Sequence, residues 1–253
     1  MKKIGSIYLA LAIFVTLIAG CGLFGDSDST EDSSSDISET TAGPDTPQAA
    51  LASFRMLLQD KAFFFQYEDA AASNAAVFRN SDDERTSMNL SSFLESQSGG
   101  SSGVQVKNFS ILDMNGDGIP EMVIEITRAG IKNVFHYEKG NLYGYTFYSR
   151  GMNALKKDGS FTASAGSAHT YFQKLRFIDG VCSFEVLAFS DVMTESEQYQ
   201  EAFYIHGEAV SKEMFLAYWD DHDKKEDPEY HTFSVETIVA DFEQIIEAWT
   251  KKQ

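Results

Sequence analysis

Asp113-Met114-Asn115-Gly116-Asp117-Gly118-Ile119-Pro120-Glu121 is the stretch of this 253-residue chain whose residue types and spacing could do chemistry. Asp113, Asn115 and Asp117 place three oxygen-bearing side chains at alternate positions. Gly118 permits the sharp turn that folds those oxygens inward. Calcium takes six to eight oxygens in a flexible shell, and such a loop supplies part of one. The competing reading is a plain turn between strands. Asp, Asn and Gly favour turns through side-chain bonds to backbone and tolerance of left-handed angles.

The spacing matches the opening of an EF-hand loop but departs at the twelfth position, where Ile124 stands instead of a bidentate Glu. Strand-like residues, Met122-Val123-Ile124, follow at once. The pattern D-x-N-x-D-G-x-x-E thus resembles the calcium loop between strands of integrin-type (FG-GAP) repeats, with Glu121 in the ninth place. That resemblance implies a Ca²⁺ held by Asp113, Asn115, Asp117 and Glu121 together with the Ile119 carbonyl. Such repeats build propellers by recurring, and one copy here does not predict a propeller.

Other groups read as structure. Asp220-Asp221-His222-Asp223, with Glu226, Asp227 and His231, could suggest a metal cluster, but Lys224, Lys225 and Pro228 make a solvated loop the expectation. The histidines (His136, His169, His206, His222, His231) show no HExxH spacing, and G-x-S-x-G is absent around His169. Cys182 sits in a strand-like context and reads as a small buried hydrophobe. Tyr143, Tyr145, Phe147 and Tyr148 lie together. Alternate ones should face the core, with a sugar-binding aromatic platform as the other reading.

The amino terminus carries an address. Lys2 and Lys3 precede a mostly apolar run ending Leu17-Ile18-Ala19-Gly20-Cys21, the form of a secretory signal. About 16 apolar residues fall short of the roughly 20 needed to span a bilayer. Ile18-Ala19-Gly20-Cys21 resembles the lipobox of bacterial lipoproteins. The resemblance implies cleavage of residues 1–20, a diacylglyceryl thioether on Cys21, and an acylated amino terminus. The protein is then expected at the extracytoplasmic face of the cell membrane, held by lipid.

The formal charge is −18, and removal of Lys2 and Lys3 with the signal takes it to about −20. So acidic a chain lacks the electrostatic footprint for nucleic acid. Anionic headgroups would repel it, so the lipid must hold it. Residues 21–45 carry seven acids and no Lys or Arg among serines and threonines, which predicts a disordered tether.

Residues 46–253 are expected to form one extracellular domain. Thr46 and Pro47 suit an N-cap and first helical residue, and Ala50, Leu51, Phe54, Leu57 and Leu58 recur at helical spacing. Phe63-Phe64-Phe65 extends or ends that helix. Ser81-Asp82-Asp83-Glu84 is a capping-box pattern, and a short helix is expected around Asn89 to Ser96. From Val104 the period is two. Strand-like runs at 134–137, 142–148, 171–178, 181–189 and 200–206 are divided by Lys139-Gly140-Asn141, Asp158-Gly159, Asp179-Gly180 and His206-Gly207. Ser211 caps a helix to about Asp220, and Ser234 caps another to about Trp249. The expected fold is α+β: one antiparallel β-meander sheet flanked by N-terminal and C-terminal helices.

The lipobox, polar leash, helical segment, LDMNGDGIPEMVI and Gly-punctuated strands together resemble lipoproteins of Gram-positive Firmicutes. Two functions follow as expectations. One is a non-enzymatic binding or structural module with a Ca²⁺-stabilised loop, directed at cell-wall glycan or a surface protein. The other is an extracytoplasmic hydrolase whose site is assembled from dispersed residues.

Overall fold

Thr46 and Pro47 open the fold. The Thr46 hydroxyl accepts from Ala49 N at 3.2 Å, and proline fills a first-turn position whose N–H has no helical partner. The chain meets the domain slightly earlier, since Asp45 accepts from Lys139 N. The computed structural model describes residues 43–68, 86–99, 103–128, 130–164, 169–195, 198–236 and 238–251. Cys21, the tether up to residue 42 and the Ser81 capping-box pattern lie outside them.

In chain order the elements are α1 (Pro47–Leu58), β1 (Phe64–Glu68), β2 (Thr86–Met88), α2 (Leu90–Ser98), β3 (Val106–Leu112), β4 (Glu121–Ile126), β5 (Lys132–Glu138), β6 (Asn141–Phe147), β7 (Phe161–Ser164), β8 (Thr170–Ile178), β9 (Val181–Glu195), β10 (Gln198–Ile205), β11 (Glu208–Val210), α3 (Lys212–Asp223), β12 (His231–Thr232) and α4 (Ile238–Thr250). The fold is α+β, as expected. The single sheet is corrected to two. One is ordered β12-β3-β4-β5-β6-β1-β2, the other β11-β10-β9-β8-β7. Within each, consecutive strands form the expected meander, β3 to β6 and β7 to β11.

Phe63-Phe64-Phe65 neither extends nor merely ends α1. It enters β1, which pairs parallel with β6, Phe65 opposite Tyr143 and Tyr67 opposite Tyr145. The reason is packing on both sides. Phe64 enters the core under the helices, meeting Phe93 and Phe135 edge-on, while Tyr67 stacks on Tyr145 in the core between the sheets. A five-residue strand that serves two cores shows neither period-2 alternation nor a polar face.

The same covering explains β4, where five of six residues are buried. Met122, Ile124 and Ile126 join Leu51, Phe54, Phe109 and Phe242 beneath α1, α2 and α4. Val123 points the other way and joins Val134, Tyr145, Phe147, Phe161, Leu175 and Cys182 between the sheets. The far face of the second sheet is closed by α3, through Phe172, Ala188 and Phe215. A strand buried on both faces loses the polar alternation of a half-wet sheet.

Three hairpins end in turns with both central residues left-handed: Lys139-Gly140 (φ 50° and 82°), Asp179-Gly180 (52° and 69°) and His206-Gly207 (50° and 81°). Type I′ turns need this geometry, and it matches the twist of the flanking strands. Asp158-Gly159 does a different job. Gly159 (φ 78°) lies against the backbone of Met114, where an added Cβ would strike the Met114 carbonyl. Met114 is fully buried, so this close approach seats the β3–β4 connection on the inter-sheet core. Gly159→Ala is expected to cost at least about 2 kcal/mol in a urea melt, from left-handed strain together with a forced backbone shift. A loss under about 0.5 kcal/mol would show that the contact yields freely.

Candidate functional site: the Asp113 loop and the carboxylate beneath it

β3 ends at Leu112 and β4 begins at Glu121, and these two residues are partners in the ladder. The connection between them is organised by its own side chains. Asp113 Oδ1 accepts from Gly116 N at 2.7 Å and Oδ2 from Gly118 N at 3.0 Å. Asn115 Oδ1 accepts from Asp117 N at 3.0 Å, and Asp117 Oδ1 from Ile119 N at 2.7 Å. Four consecutive backbone donors, those of residues 116–119, are thereby turned onto three side chains. Gly116 and Gly118 take φ of 82° and 86°, which other residues reach only with strain.

These bonds orient the oxygens and leave further lone pairs available. The donor set is oxygen alone, which suits a hard cation such as Ca²⁺ and not a soft metal. Asp117 is exposed, while Asp113 and Asn115 are half-buried, so a cation there would complete its shell with water. Two local features oppose one. Arg176 donates to the Asn115 carbonyl at 3.2 Å, bringing a positive charge to the loop. Asn115 Nδ2 also donates to Asp117 Oδ2 at 2.7 Å. Among the described residues, no group of three or more His, Cys, Asp or Glu gathers as metal ligands do. A shell here would therefore lean on Asn115 and the Ile119 carbonyl.

Glu121, expected in the ninth ligand place, is turned inward and is fully buried. Its Oε2 accepts from Met114 N at 2.7 Å, and its Oε1 lies 2.9 Å from His136 Nδ1. Burial pushes the carboxyl up to about 7, with the charge of Asp117 adding. The bond and charge of His136 and the Met114 N–H oppose this. The loop thus brings Asp113, Asn115 and Asp117 together and sets Glu121 beneath them.

The His136 ring stacks on Phe177 of the second sheet, with centroids 4.1 Å apart and planes 7° apart. Phe177 in turn pairs with Cys182 in the β8–β9 ladder. Cys182 is fully buried, as expected, and burial raises its thiol well above the ordinary value, with the charge of Glu121 adding. The Glu121–His136 pair was missed from sequence. His136 lies between Phe135 and Tyr137 in a fully covered strand, and nothing in that spacing announces a partner 15 residues back.

The remaining candidates fall elsewhere. Tyr143, Tyr145 and Phe147 all point into the inter-sheet core, which removes the sugar-platform reading for them. A second aromatic row, Tyr171–Phe189–Tyr204, crosses the other sheet, with centroids 6.0 and 4.5 Å apart and planes within 16°. These rings turn their faces toward one another, so they present edges rather than the open faces that stack on sugars. His169 pairs with Asp191 at 2.9 Å, and His206 occupies its hairpin turn as expected. The solvated loop expected from Asp220 is corrected. Helix α3 continues to Asp223, and His222 is buried on its inner face. No family model, curated protein or solved structure matches the chain.

The raised Glu121 carboxyl fixes a sign. The folded state holds the proton more tightly than the unfolded chain, so stability falls as pH rises from about 4.5 to 7. Glu121→Gln keeps an acceptor for Met114 N and has no charge to bury. The variant should gain stability relative to the parent as pH is raised from 5 to 8, read as the difference in thermal midpoints. Parallel pH profiles would refute the assignment. Glu121→Ala should be costly at every pH, because it strands the Met114 N–H and the imidazole in the core.

Proposed function

We propose that the protein is a lipid-anchored extracytoplasmic lipoprotein. Its domain is a non-enzymatic binding or structural module, stabilised by Ca²⁺ at the Asp113 loop and facing the cell wall or a surface protein. The observation that carries the calcium part is the conformation of that loop, with the backbone donors of residues 116–119 orienting Asp113, Asn115 and Asp117. The anchor rests on the lipobox-like Ile18-Ala19-Gly20-Cys21. Among the described residues no helix is long and apolar enough to cross a membrane.

A binding role is favoured over hydrolysis by where the reactive groups sit. The Glu121–His136 pair has a carboxyl near 7, a value suited to proton transfer at neutral pH. It lies in the inter-sheet core, as does the Cys182 thiol, and His136 is only 4% exposed. A substrate would have to part the two sheets to reach either.

The calcium reading has a direct test on the full chain in detergent. A modest site, half-filled near 1 mM, gains about 1.4 kcal/mol at 10 mM Ca²⁺. That corresponds to a rise of about 3–5 °C in the melting midpoint. Asp117→Ala should abolish the rise, and an unshifted parent protein would end the proposal. The anchor is tested by Cys21→Ser, which should move the protein from the membrane fraction to the soluble one. Continued membrane association of that variant would mean the chain is held in some other way.

A further inference from the structure

Helix α3 closes the second sheet with Phe215, Tyr218, Trp219 and His222. All but the last are ordinary core-forming residues. His222 is 1% exposed, and neither ring nitrogen has a hydrogen-bond partner. The ring stands edge-on to Phe172 of β8, centroids 5.0 Å apart, so the helix is seated by an imidazole where a hydrocarbon would pack. Asp223 Oδ1, 3.9 Å from Nδ1, is beyond bonding reach.

The surroundings offer a protonated His222 no carboxylate within hydrogen-bonding reach, with Asp223 Oδ1 at 3.9 Å its ion-pair neighbour. On its own helix, Asp223 Oδ2 accepts from Trp219 Nε1 at 3.1 Å. Just past the helix, Lys225 binds Asp158 at 2.8 Å, and Ser160 also donates to Asp158. From the segment before β7, the nearly buried Lys156 donates to the Asp223 carbonyl and to Asp227. Lys157 pairs with Glu226 at 2.7 Å. From the β10–β11 turn, His206 faces Tyr218 edge-on at 6.3 Å. Asp158, Glu226, Asp227 and one oxygen of Asp223 are thus already engaged, and two of the nearest charges are lysines.

We propose that His222 is an acid-sensitive latch: neutral, it seats the C-terminal half of α3 on the second sheet, and protonation releases that half. Burial lowers its readiness to take a proton and Lys225 and Lys156 lower it further, which together outweigh the opposing charges of Asp158 and Asp223. The unfolded chain therefore binds the proton more readily. Seating is complete above about pH 6.5 and weakens as pH falls below it. Release uncovers the part of Phe172 that otherwise lies beneath Tyr218 and Trp219. On the proposed extracytoplasmic location, the device would expose apolar area when its surroundings acidify.

The test is amide hydrogen exchange of residues 212–223 in the full chain in detergent, corrected for intrinsic rates, between pH 7.5 and 5.5. The parent protein should open about tenfold more readily at the lower pH. His222→Leu should stay flat across the same interval. Equal acceleration in both proteins, or none in the parent, overturns the latch. If His222→Leu does not fold, the His222 ring proton decides the matter by NMR titration of the parent. A midpoint below 6.5 supports the latch, and one at or above 6.5 overturns it.

Discussion

A carboxylate that has lost all contact with water must be satisfied by protein, and at Glu121 that requirement ties together a loop and two sheets. Transfer of an isolated charge into the interior costs far more than one hydrogen bond returns. Glu121 is met by a backbone N–H from the loop above it and by an imidazole from the next strand. That imidazole is fixed by Phe177 of the other sheet. One side chain therefore links the Asp113 loop, the first sheet and the second. The rise of its carboxyl to about 7 records how incompletely those contacts replace water.

Layering follows from the same core. With α1, α2 and α4 on one face and the second sheet on the other, the first sheet has no wet face. Its chemistry can emerge only at its ends and connections. The Asp113 loop is one such connection, and Met114 fixes it there by occupying the inter-sheet core. The second sheet is covered on one side by α3 and on the other, over part of β8 and β9, by the first sheet. β9 is 15 residues long and continues past that contact, carrying Phe189 and Asp191 beyond it. Reactive groups drawn into such layers are shut from solvent, and the exposed surface consists largely of loops, helix ends and the free stretch of the second sheet.

Local signals were legible where backbone geometry alone decides. Lys139-Gly140, Asp179-Gly180 and His206-Gly207 marked hairpins because a two-residue turn needs left-handed angles and glycine permits them. Thr46-Pro47 and Ser211 marked helix starts because a side-chain oxygen satisfies an orphan donor and proline brings none, and Asn89, where a short helix was expected, caps its helix in the same way. Sheet partition was not legible. The break between β6 and β7 falls where Asn153 bridges Thr162 and the chain turns through Asp158-Gly159, a feature no different in sequence from a hairpin. Parallel pairing of β1 with β6 joins segments about 80 residues apart and is decided by tertiary packing. Asp113, Asn115 and Asp117 lie together in the loop, while Glu121, given the ninth ligand place by the resemblance, faces the inter-sheet core. Spacing gives the order of the side chains and not the face to which the next strand commits its first residue.

The loop and the α3 latch, though separate in chemistry, share a neighbour. Residues 156–160 lie against the backbone of Met114 through Gly159, and against the end of α3 through Lys156, Lys157 and Asp158. Contact by itself does not make two sites communicate; an element with two arrangements must be biased by both. The Asp158 side chain supplies the handle. Burial works against its ionisation, but bonds from Lys225 and Ser160 more than offset this and hold it well below the usual carboxylate range. It therefore stays charged as the pH falls through the range in which His222 takes its proton, and it is tied to Lys225 just past the helix end. Release of α3 would free the segment that backs Met114, and Met114 N is the donor that helps hold Glu121. A cation that stiffens the loop would resist that release. Linkage then requires that α3 docking strengthen cation binding by the same factor.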